Sequence, residues 1–195
     1  ATADGMILDP IGGLPDLRAR IVRFIGDPEA RIAEDYLRIL RFFRFHAWYA
    51  DPDQGIEAEG LAACAAHLDG MAGLSRERIG AEMRKLLSAP DPAPAVGAMA
   101  RCGALIHVLP GAGSLSLAVL VHVEQAMGLP PDPLRRLAIL GGEDVAERLR
   151  LSRAEAARLV RLTTAMNGDM PPGELGYRLG AAAALDVLAL RAALS

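Results

Sequence analysis

The sequence has few cysteines and no long apolar run. Two cysteines, Cys64 and Cys102, among 195 residues are too few for a disulfide framework and lack the C-x-x-C spacing of a zinc site. No stretch approaches the ~20 apolar residues that cross a bilayer, and no charged segment followed by an apolar region indicates a signal peptide. We therefore expect a cytoplasmic chain with no membrane association and no metal site of its own.

Aromatic and lysine residues are also scarce. Aromatics make up 4% of the chain, whereas hydrophobic residues reach 52% with alanine and leucine dominant. This composition favours helices over sheets, and it predicts an all-α protein with one sizeable core or two small ones. Lys85 is the only lysine, and the net charge of -3 does not indicate nucleic-acid binding. Residues 135–161 hold seven arginines against four acids, and we interpret this segment as solvated helix surface rather than a basic patch.

The first residues predict a strand. Asp4-Gly5 is a typical hairpin turn, and it leads into the apolar stretch Met6-Ile7-Leu8. A lone hairpin is at best marginally stable in water, so this strand would need partners that the chain does not contain. We therefore expect a short strand or hairpin left over from an α/β head that should precede it.

The rest of the chain predicts helices. Asp27-Pro28-Glu29 combines an N-cap acceptor, a proline at the first helical position and an acid that the helix dipole favours. This first helix should run from residue 28 to about 49. Gly103 is a predicted C-cap, and Ser152 with Glu155 predicts a capping box. Further helices are predicted at 57–69, 75–88, 93–102, 115–127, 132–140, 152–166 and 174–194.

The helix over 28–49 carries a charged stripe. On a helical wheel, the charged residues fall within a sector of ~120°; they are Arg31, Glu34, Asp35, Arg38 and Arg41. One interpretation is a solvated face with i, i+4 pairs between Arg31 and Asp35 and between Glu34 and Arg38, each contributing ~0.2–0.5 kcal/mol. Spacing alone favours this interpretation.

The second interpretation is an edge that selects bases. Asp35 would accept a hydrogen bond from an exocyclic amine while Arg38 donates to an unprotonated ring nitrogen, and cytosine and adenine both present that pattern. Uracil and guanine present a carbonyl beside a protonated ring nitrogen. They would leave buried groups unsatisfied at ~1–3 kcal/mol for each group, so this pair predicts acceptance of C and A over U and G.

A family resemblance supports the second interpretation. The order Asp9-Pro10-Ile11-Gly12-Gly13, then Ile25-Gly26-Asp27-Pro28, then Glu34-Asp35-Tyr36-Leu37-Arg38 resembles the motif series of class II CCA-adding enzymes and bacterial poly(A) polymerases. The last motif is similar to the nucleotide-selecting E-D-x-x-R of that family. The resemblance implies that Asp35 and Arg38 pair with the base of CTP or ATP, with Glu34 beside them.

The resemblance extends beyond that motif. Arg41 and Arg44 match positions that the family uses toward the bound nucleotide. Arg78 with Glu82 resembles the R-x-x-x-E element that braces the selecting helix in the family. The likeness is specific over residues 4–49, fair from 58 to about 110, and compositional afterward.

The resemblance also implies what this chain lacks. Family members transfer nucleotides in an N-terminal head, where a Gly-Ser loop holds the triphosphate and an Asp-x-Asp pair binds two Mg²⁺ ions. No such series precedes Asp9. We therefore expect no catalytic residues in this fragment. The implied domains are a head remnant at 1–27, a helical neck with the selecting helix at 28–110, and a helical body that binds tRNA at 111–195.

The predicted function follows from the family. The full-length protein would add CMP and AMP from CTP and ATP to the tRNA 3′ end, recognising the acceptor end mainly by shape and backbone contacts. Two alternatives stay open: a poly(A) polymerase of the same family, and a helical RNA-binding module without catalysis.

Overall fold

The computed structural model describes residues 7–195, and this part of the chain contains helices and no strand. The all-α prediction is confirmed. Thirteen α-helices and one 3-10 helix follow in chain order. They are α1 Leu14–Ala19, α2 Pro28–Glu34, α3 Leu37–Tyr49, α4 Ala58–Ala66, the 3-10 helix Leu68–Gly73, α5 Arg76–Leu87, α6 Ala93–Cys102, α7 Ala104–Val108, α8 Leu115–Ala126, α9 Pro133–Leu140, α10 Val145–Arg148, α11 Arg153–Met166, α12 Pro172–Leu179 and α13 Ala181–Leu194.

The predicted N-terminal strand is wrong where it can be compared. Ile7 and Leu8 adopt no regular secondary structure, and both side chains are exposed. Asp4, Gly5 and Met6 lie outside the described residues. An extended segment becomes a strand only when a neighbouring strand satisfies its backbone groups, and residues 7–195 supply none.

Several helix ends agree with the sequence. The side chain of Ser152 accepts from the N–H of Glu155, and the side chain of Glu155 accepts from the N–H of Ser152, so the capping box is confirmed. Gly103 ends α6 in the left-handed region at φ 89°, as a C-cap glycine does. The helix predicted over 174–194 is two helices, because Gly180 at φ 80° interrupts it.

The first long helix is also two helices. The prediction of one helix over 28–49 is wrong at Asp35, whose backbone is extended at φ -160° and ψ 104°. Its side-chain Oδ1 accepts from the N–H of Leu37 at 3.1 Å, which satisfies a donor in the first turn of α3. The ring of Tyr36 lies against Gly70, where an added Cβ would be 2.0 Å from the ring. Aspartate capping and this close packing together stabilise the break.

The two halves of the chain share one continuous apolar core. Buried residues form a single cluster that extends from Ile32 to Ala193. Helix α3 packs on α5 and α6, and these two helices also contact α9 and α8. Helices α8, α9, α11, α12 and α13 pack on one another in the C-terminal half. Helices α5 and α6 therefore join the segment that carries the charged stripe to the C-terminal helices.

A buried ion network joins helices α8, α9 and α13. Arg135 donates to Glu124 at 2.8 Å and to Asp186 at 2.6 Å, while Arg136 contacts the other oxygen of Glu124 at 2.7 Å. Arg135 and Arg136 are 2% and 1% exposed. The interpretation of residues 135–161 as solvated surface is therefore wrong for these two arginines, because buried carboxylates compensate their charges.

No helix among residues 7–195 has the length and hydropathy needed to cross a bilayer.

Candidate functional site

The candidate site is centred on Asp35, at the junction of α2 and α3. Its Oδ1 accepts from the N–H of Leu37, and its Oδ2 accepts from Nη2 of Arg78 at 2.8 Å. The expected i, i+4 pair with Arg31 is not formed within the described chain, because the extended backbone at Asp35 turns its carboxylate toward α5. Asp35 is therefore held in a fixed orientation, with 26% of its side chain exposed.

The charge of Asp35 is stabilised by these contacts. Partial burial by itself would raise the pKa of this carboxyl group, but the hydrogen bond from Leu37 and the Arg78 guanidinium outweigh burial and lower the pKa below its usual value. The smaller effect of Arg38 acts in the same direction. Asp35 is thus an ionised acceptor at neutral pH.

Arg38 is the second residue of α3, and residues of α2 hold its side chain. Its Nη1 donates to Oε2 of Glu34 at 2.6 Å and to the carbonyl oxygen of Arg31 at 2.5 Å. The predicted pair between Glu34 and Arg38 is confirmed, and it spans the break between the two helices. The Arg38 side chain is 25% exposed. Only its Nη1 makes hydrogen bonds within residues 7–195, so its Nε and Nη2 keep donors for a ligand.

The next arginines of α3 differ in their surroundings. Arg44 donates from Nε to Oε2 of Glu82 at 2.6 Å, and its guanidinium carbon lies 4.2 Å from the centre of the Phe45 ring. Only 14% of the Arg44 side chain is exposed. Arg41 is exposed, and it makes no hydrogen bond or ion pair to any residue in the range 7–195. Arg41 is therefore available to a ligand, whereas Arg44 is fixed in place.

Both members of the R-x-x-x-E pair contact residues of the predicted nucleotide site. Arg78 and Glu82 are one turn apart on α5, and they reach Asp35 and Arg44, which lie nine residues apart in the chain. Helix α5 therefore braces Asp35 of the stripe and also Arg44, which lies three residues after Arg41 on α3. No spacing rule within a single helix predicts these contacts, since they join residues that are 43 and 38 positions apart.

Asp35 and Arg38 both keep unused hydrogen-bonding capacity. A carboxylate offers about four lone-pair directions, and Asp35 uses one on each oxygen. Arg38 lies three residues after Asp35 in the chain, and its Nε and Nη2 make no hydrogen bond among residues 7–195. The surface therefore presents an ionised acceptor at Asp35 and unused donors at Arg38, and both side chains are about one quarter exposed.

Sequence similarity identifies the family. A family model described as "Probable RNA and SrmB- binding site of polymerase A" matches residues 55–115. The mitochondrial CCA tRNA nucleotidyltransferase 1 of Mus musculus is 35% identical over 158 residues, which are 78% of this chain and 36% of the mouse protein. The multifunctional CCA protein of Azoarcus sp. is 31% identical over 185 residues, or 91% of this chain and 41% of that protein.

The chain belongs to the family of class II CCA-adding enzymes and poly(A) polymerases.

Solved structures of CCA-adding enzymes show the same fold. The Thermotoga maritima CCA-adding enzyme in complex with tRNA superposes with a TM-score of 0.64 at 19% identity, and the match covers 96% of this chain and 51% of that chain. A CCA-adding enzyme in complex with ATP gives a TM-score of 0.63 at 18% identity, covering 96% and 49%. The chain spans well under half the length of the curated CCA proteins it matches.

Residues 7–195 contain no cluster of side chains that could bind the Mg²⁺ ions used by the family. Among residues 7–195, no three His, Cys, Asp or Glu side chains converge as metal ligands. These residues do not fit Mg²⁺, and we assign them no step that involves the ion. His46 is buried, whereas His107 and His122 are exposed.

Sequence reasoning missed the buried residues that hold α5 in this family member. Arg136 donates to the carbonyl oxygens of Leu87 and Ala89 at 2.7 and 2.6 Å, which fixes the C-terminal end of α5. The signal was present in the pattern Leu134-Arg135-Arg136-Leu137, where two arginines lie inside an apolar helix that follows an Asp-Pro cap. Arginines at such positions require buried carboxylates or carbonyls, so they indicate tertiary contacts.

Proposed function

We propose that this chain is the base-selecting and RNA-binding part of a tRNA nucleotidyltransferase that adds CMP and AMP from CTP and ATP to the 3′ end of tRNA. Residues 28–110 would supply the selecting surface, and residues 111–195 would form the helical body that contacts the acceptor end. Residues 1–27 would continue from the catalytic domain.

The observation that carries this proposal is the double brace from α5. Arg78 holds Asp35 and Glu82 holds Arg44, so these two side chains keep their positions without a ligand. A template that discriminates bases must be rigid, because a mobile carboxylate could turn away and tolerate the wrong edge. The brace supports the interpretation of this surface as a template rather than as a solvated face with ion pairs.

The proposed roles follow from the chemistry of each side chain. Asp35 would accept from the exocyclic amine of C or A, and Arg38 would donate to the neighbouring ring nitrogen. Arg41 would attract the nucleotide phosphates, since it is exposed in the described structure. Arg44 would bound the base pocket, while Glu34, Arg78 and Glu82 act as supports.

Nucleotidyl transfer and its Mg²⁺ ions would belong to residues outside the range 7–195, since these residues offer no suitable carboxylate cluster. Two-metal chemistry requires at least two acidic ligands that approach the triphosphate together. We accordingly place no catalytic residue among residues 7–195.

The test uses the protein expressed from its complete coding sequence. It is incubated with Mg²⁺ and a tRNA that lacks its terminal CCA, and each of the four nucleotides is offered separately and then CTP with ATP. We expect C, C and A to be added, with UTP and GTP not used. A tRNA that gains no nucleotide in the presence of CTP and ATP would contradict the proposal.

A poly(A) polymerase is the second candidate function. The description of the matched family model names polymerase A and covers residues 55–115, which include both bracing residues of α5. The same assay separates the two functions. A poly(A) polymerase would extend a general RNA with many AMP residues from ATP, whereas a CCA-adding enzyme would stop after three nucleotides on tRNA.

A further inference from the structure

The middle of α5 touches the backbone of the C-terminal half at a glycine. A Cβ added at Gly80 would lie 2.0 Å from the carbonyl oxygen of Leu149 and 2.8 Å from its carbonyl carbon. Those atoms are main chain, so they cannot rotate away as the end of a flexible side chain could. Gly80 is a helix-interior position where glycine is intrinsically unfavourable, which indicates that the close approach itself requires the missing Cβ.

Ion pairs flank this contact. Arg76 pairs with Glu147, and Glu77 accepts from Nε of Arg150 at 2.9 Å. Both pairs join the first turn of α5 to the segment around α10. Together with Gly80 they form a seat, which we define as Arg76, Glu77 and Gly80 against residues 147–150.

The opposite side of α5 faces the selecting surface. Arg78 and Glu82 lie on either side of Gly80 along the helix, and they brace Asp35 and Arg44. Trp48 at the end of α3 donates to the carbonyl oxygen of Lys85 at 2.7 Å. Helix α5 is therefore held between the C-terminal half and the stripe.

Because α5 is anchored at its C-terminal end, added bulk at Gly80 would tilt the helix. Its C-terminal end is fixed by Arg136, which donates to the carbonyl oxygens of Leu87 and Ala89. Added bulk at Gly80 would require a separation of more than about 1 Å before ordinary contact is restored. Since the far end is anchored, α5 would tilt, and Arg78 would move at least as far as Gly80 does.

We infer that Gly80 is a positioning residue for nucleotide selection, because its contact with Leu149 sets the distance between Arg78 and Asp35. This inference rests on the proposed function. It adds that base discrimination depends on how the seat positions α5 against the C-terminal half. Gly80 would not touch the nucleotide itself and would act through Arg78.

The test compares Gly80→Ala with wild type in the protein expressed from its complete coding sequence, below the unfolding temperature of both. The measured quantity is the ratio of kcat/KM for CTP to kcat/KM for UTP on a tRNA lacking CCA. We expect Gly80→Ala to lower this ratio by about 10-fold or more, since a misplacement of about 1 Å can change such rates by up to ~100-fold. Loss of stability alone would reduce the active fraction equally for both nucleotides and leave the ratio unchanged.

The matched control is Gly176→Ala, which adds the same methyl group inside α12 where no atom lies within 4 Å of the new Cβ. This control should keep the wild-type ratio. The Arg78→Lys variant should lower the ratio as Gly80→Ala does. The double variant should be no worse than the more damaging single variant, because both changes act on one contact.

A second variant keeps the inference testable if Gly80→Ala does not fold. Arg76→Ala with Arg150→Ala removes both flanking ion pairs, whose arginine side chains are 51% and 58% exposed, and adds no bulk. The ratio should fall in the same direction by a smaller factor. An unchanged ratio in a folded Gly80→Ala protein, or in this double variant when Gly80→Ala does not fold, would overturn the inference. A wild-type protein that adds no nucleotide would instead contradict the proposed function.

Discussion

Glu82 of α5 and Arg44 of α3 form a nearly enclosed ion pair, with Nε of Arg44 2.6 Å from Oε2 of Glu82 and the Glu82 side chain only 6% exposed. Lys85 lies 3.8 Å from the other oxygen but is mostly exposed. The pair joins the helix of the charged stripe to the helix that braces it. This pair should contribute more to stability than the two exposed pairs in the first turn of α5.

Removal of Glu82 should destabilise the protein strongly. Glu82→Ala leaves the largely buried guanidinium of Arg44 without its carboxylate, and we expect a loss of about 3 kcal/mol in the free energy of unfolding in urea. The matched control is Glu77→Ala on the same helix, whose pair with Arg150 is more than half exposed. That change should cost far less than Glu82→Ala, because water screens the exposed pair. Equal losses in the two variants would contradict the assignment of Glu82 as a buried brace.

Arg136 should be as important as a core residue. It is 1% exposed, it compensates Glu124, and it satisfies the carbonyl oxygens of Leu87 and Ala89. Arg136→Ala should lower the free energy of unfolding by about 3–5 kcal/mol, since it leaves a buried carboxylate and two carbonyls poorly satisfied. Arg153→Ala, an exposed arginine of α11, should change stability by no more than ~0.5 kcal/mol. Similar effects of the two substitutions in chemical unfolding would show that Arg136 is not part of the core.

Stability should fall at acid pH through Asp132, which caps α9. Partial burial would raise the pKa of Asp132, but the ion pair with Arg158 and the N–H of Arg135 outweigh it and lower the pKa below 3.8. A carboxyl group whose pKa is lower in the folded state stabilises the protein fully above 3.8, and this contribution is lost as pH falls below that value.

The measurement is urea unfolding of wild type and Asp132→Asn between pH 7 and pH 3. Asparagine keeps the N-cap acceptor, so the substitution removes mainly the charge. The stability difference between the two proteins should be constant above pH ~4 and should shrink below it. A difference that stays constant down to pH 3 would show that the Arg158 contact does not stabilise ionised Asp132.

The sequence predicted most of the helices because their signals are local. Proline at the first turn, the Ser152 and Glu155 capping box and the Gly103 C-cap act within a few residues, and the structure confirms them. The break at Asp35 was missed because contacts from distant residues decide whether Asp35 continues the helix or caps the next one. Arg78 and Gly70 contribute to that choice, and they lie more than thirty residues away in the chain.

The candidate site shows the same limit. The wheel correctly grouped Glu34 with Arg38, but it paired Asp35 with Arg31, since a wheel contains only neighbours on one helix. The burial of Arg135 and Arg136 depends on Glu124 and Asp186, which other helices supply. Charge counts along the chain cannot distinguish an arginine that faces solvent from one that meets a buried carboxylate.

The most direct test of the central claim is the nucleotide selectivity of Asp35→Ala in the protein expressed from its complete coding sequence. The ratio of kcat/KM for CTP to UTP, and for ATP to GTP, is measured on tRNA lacking CCA for wild type and for the variant. We predict that wild type strongly prefers CTP and ATP and that Asp35→Ala lowers both ratios by at least about 10-fold, since each unsatisfied hydrogen bond is worth ~1–3 kcal/mol. Ratios that are the same in both proteins would contradict the assignment of Asp35 as the acceptor that selects the base.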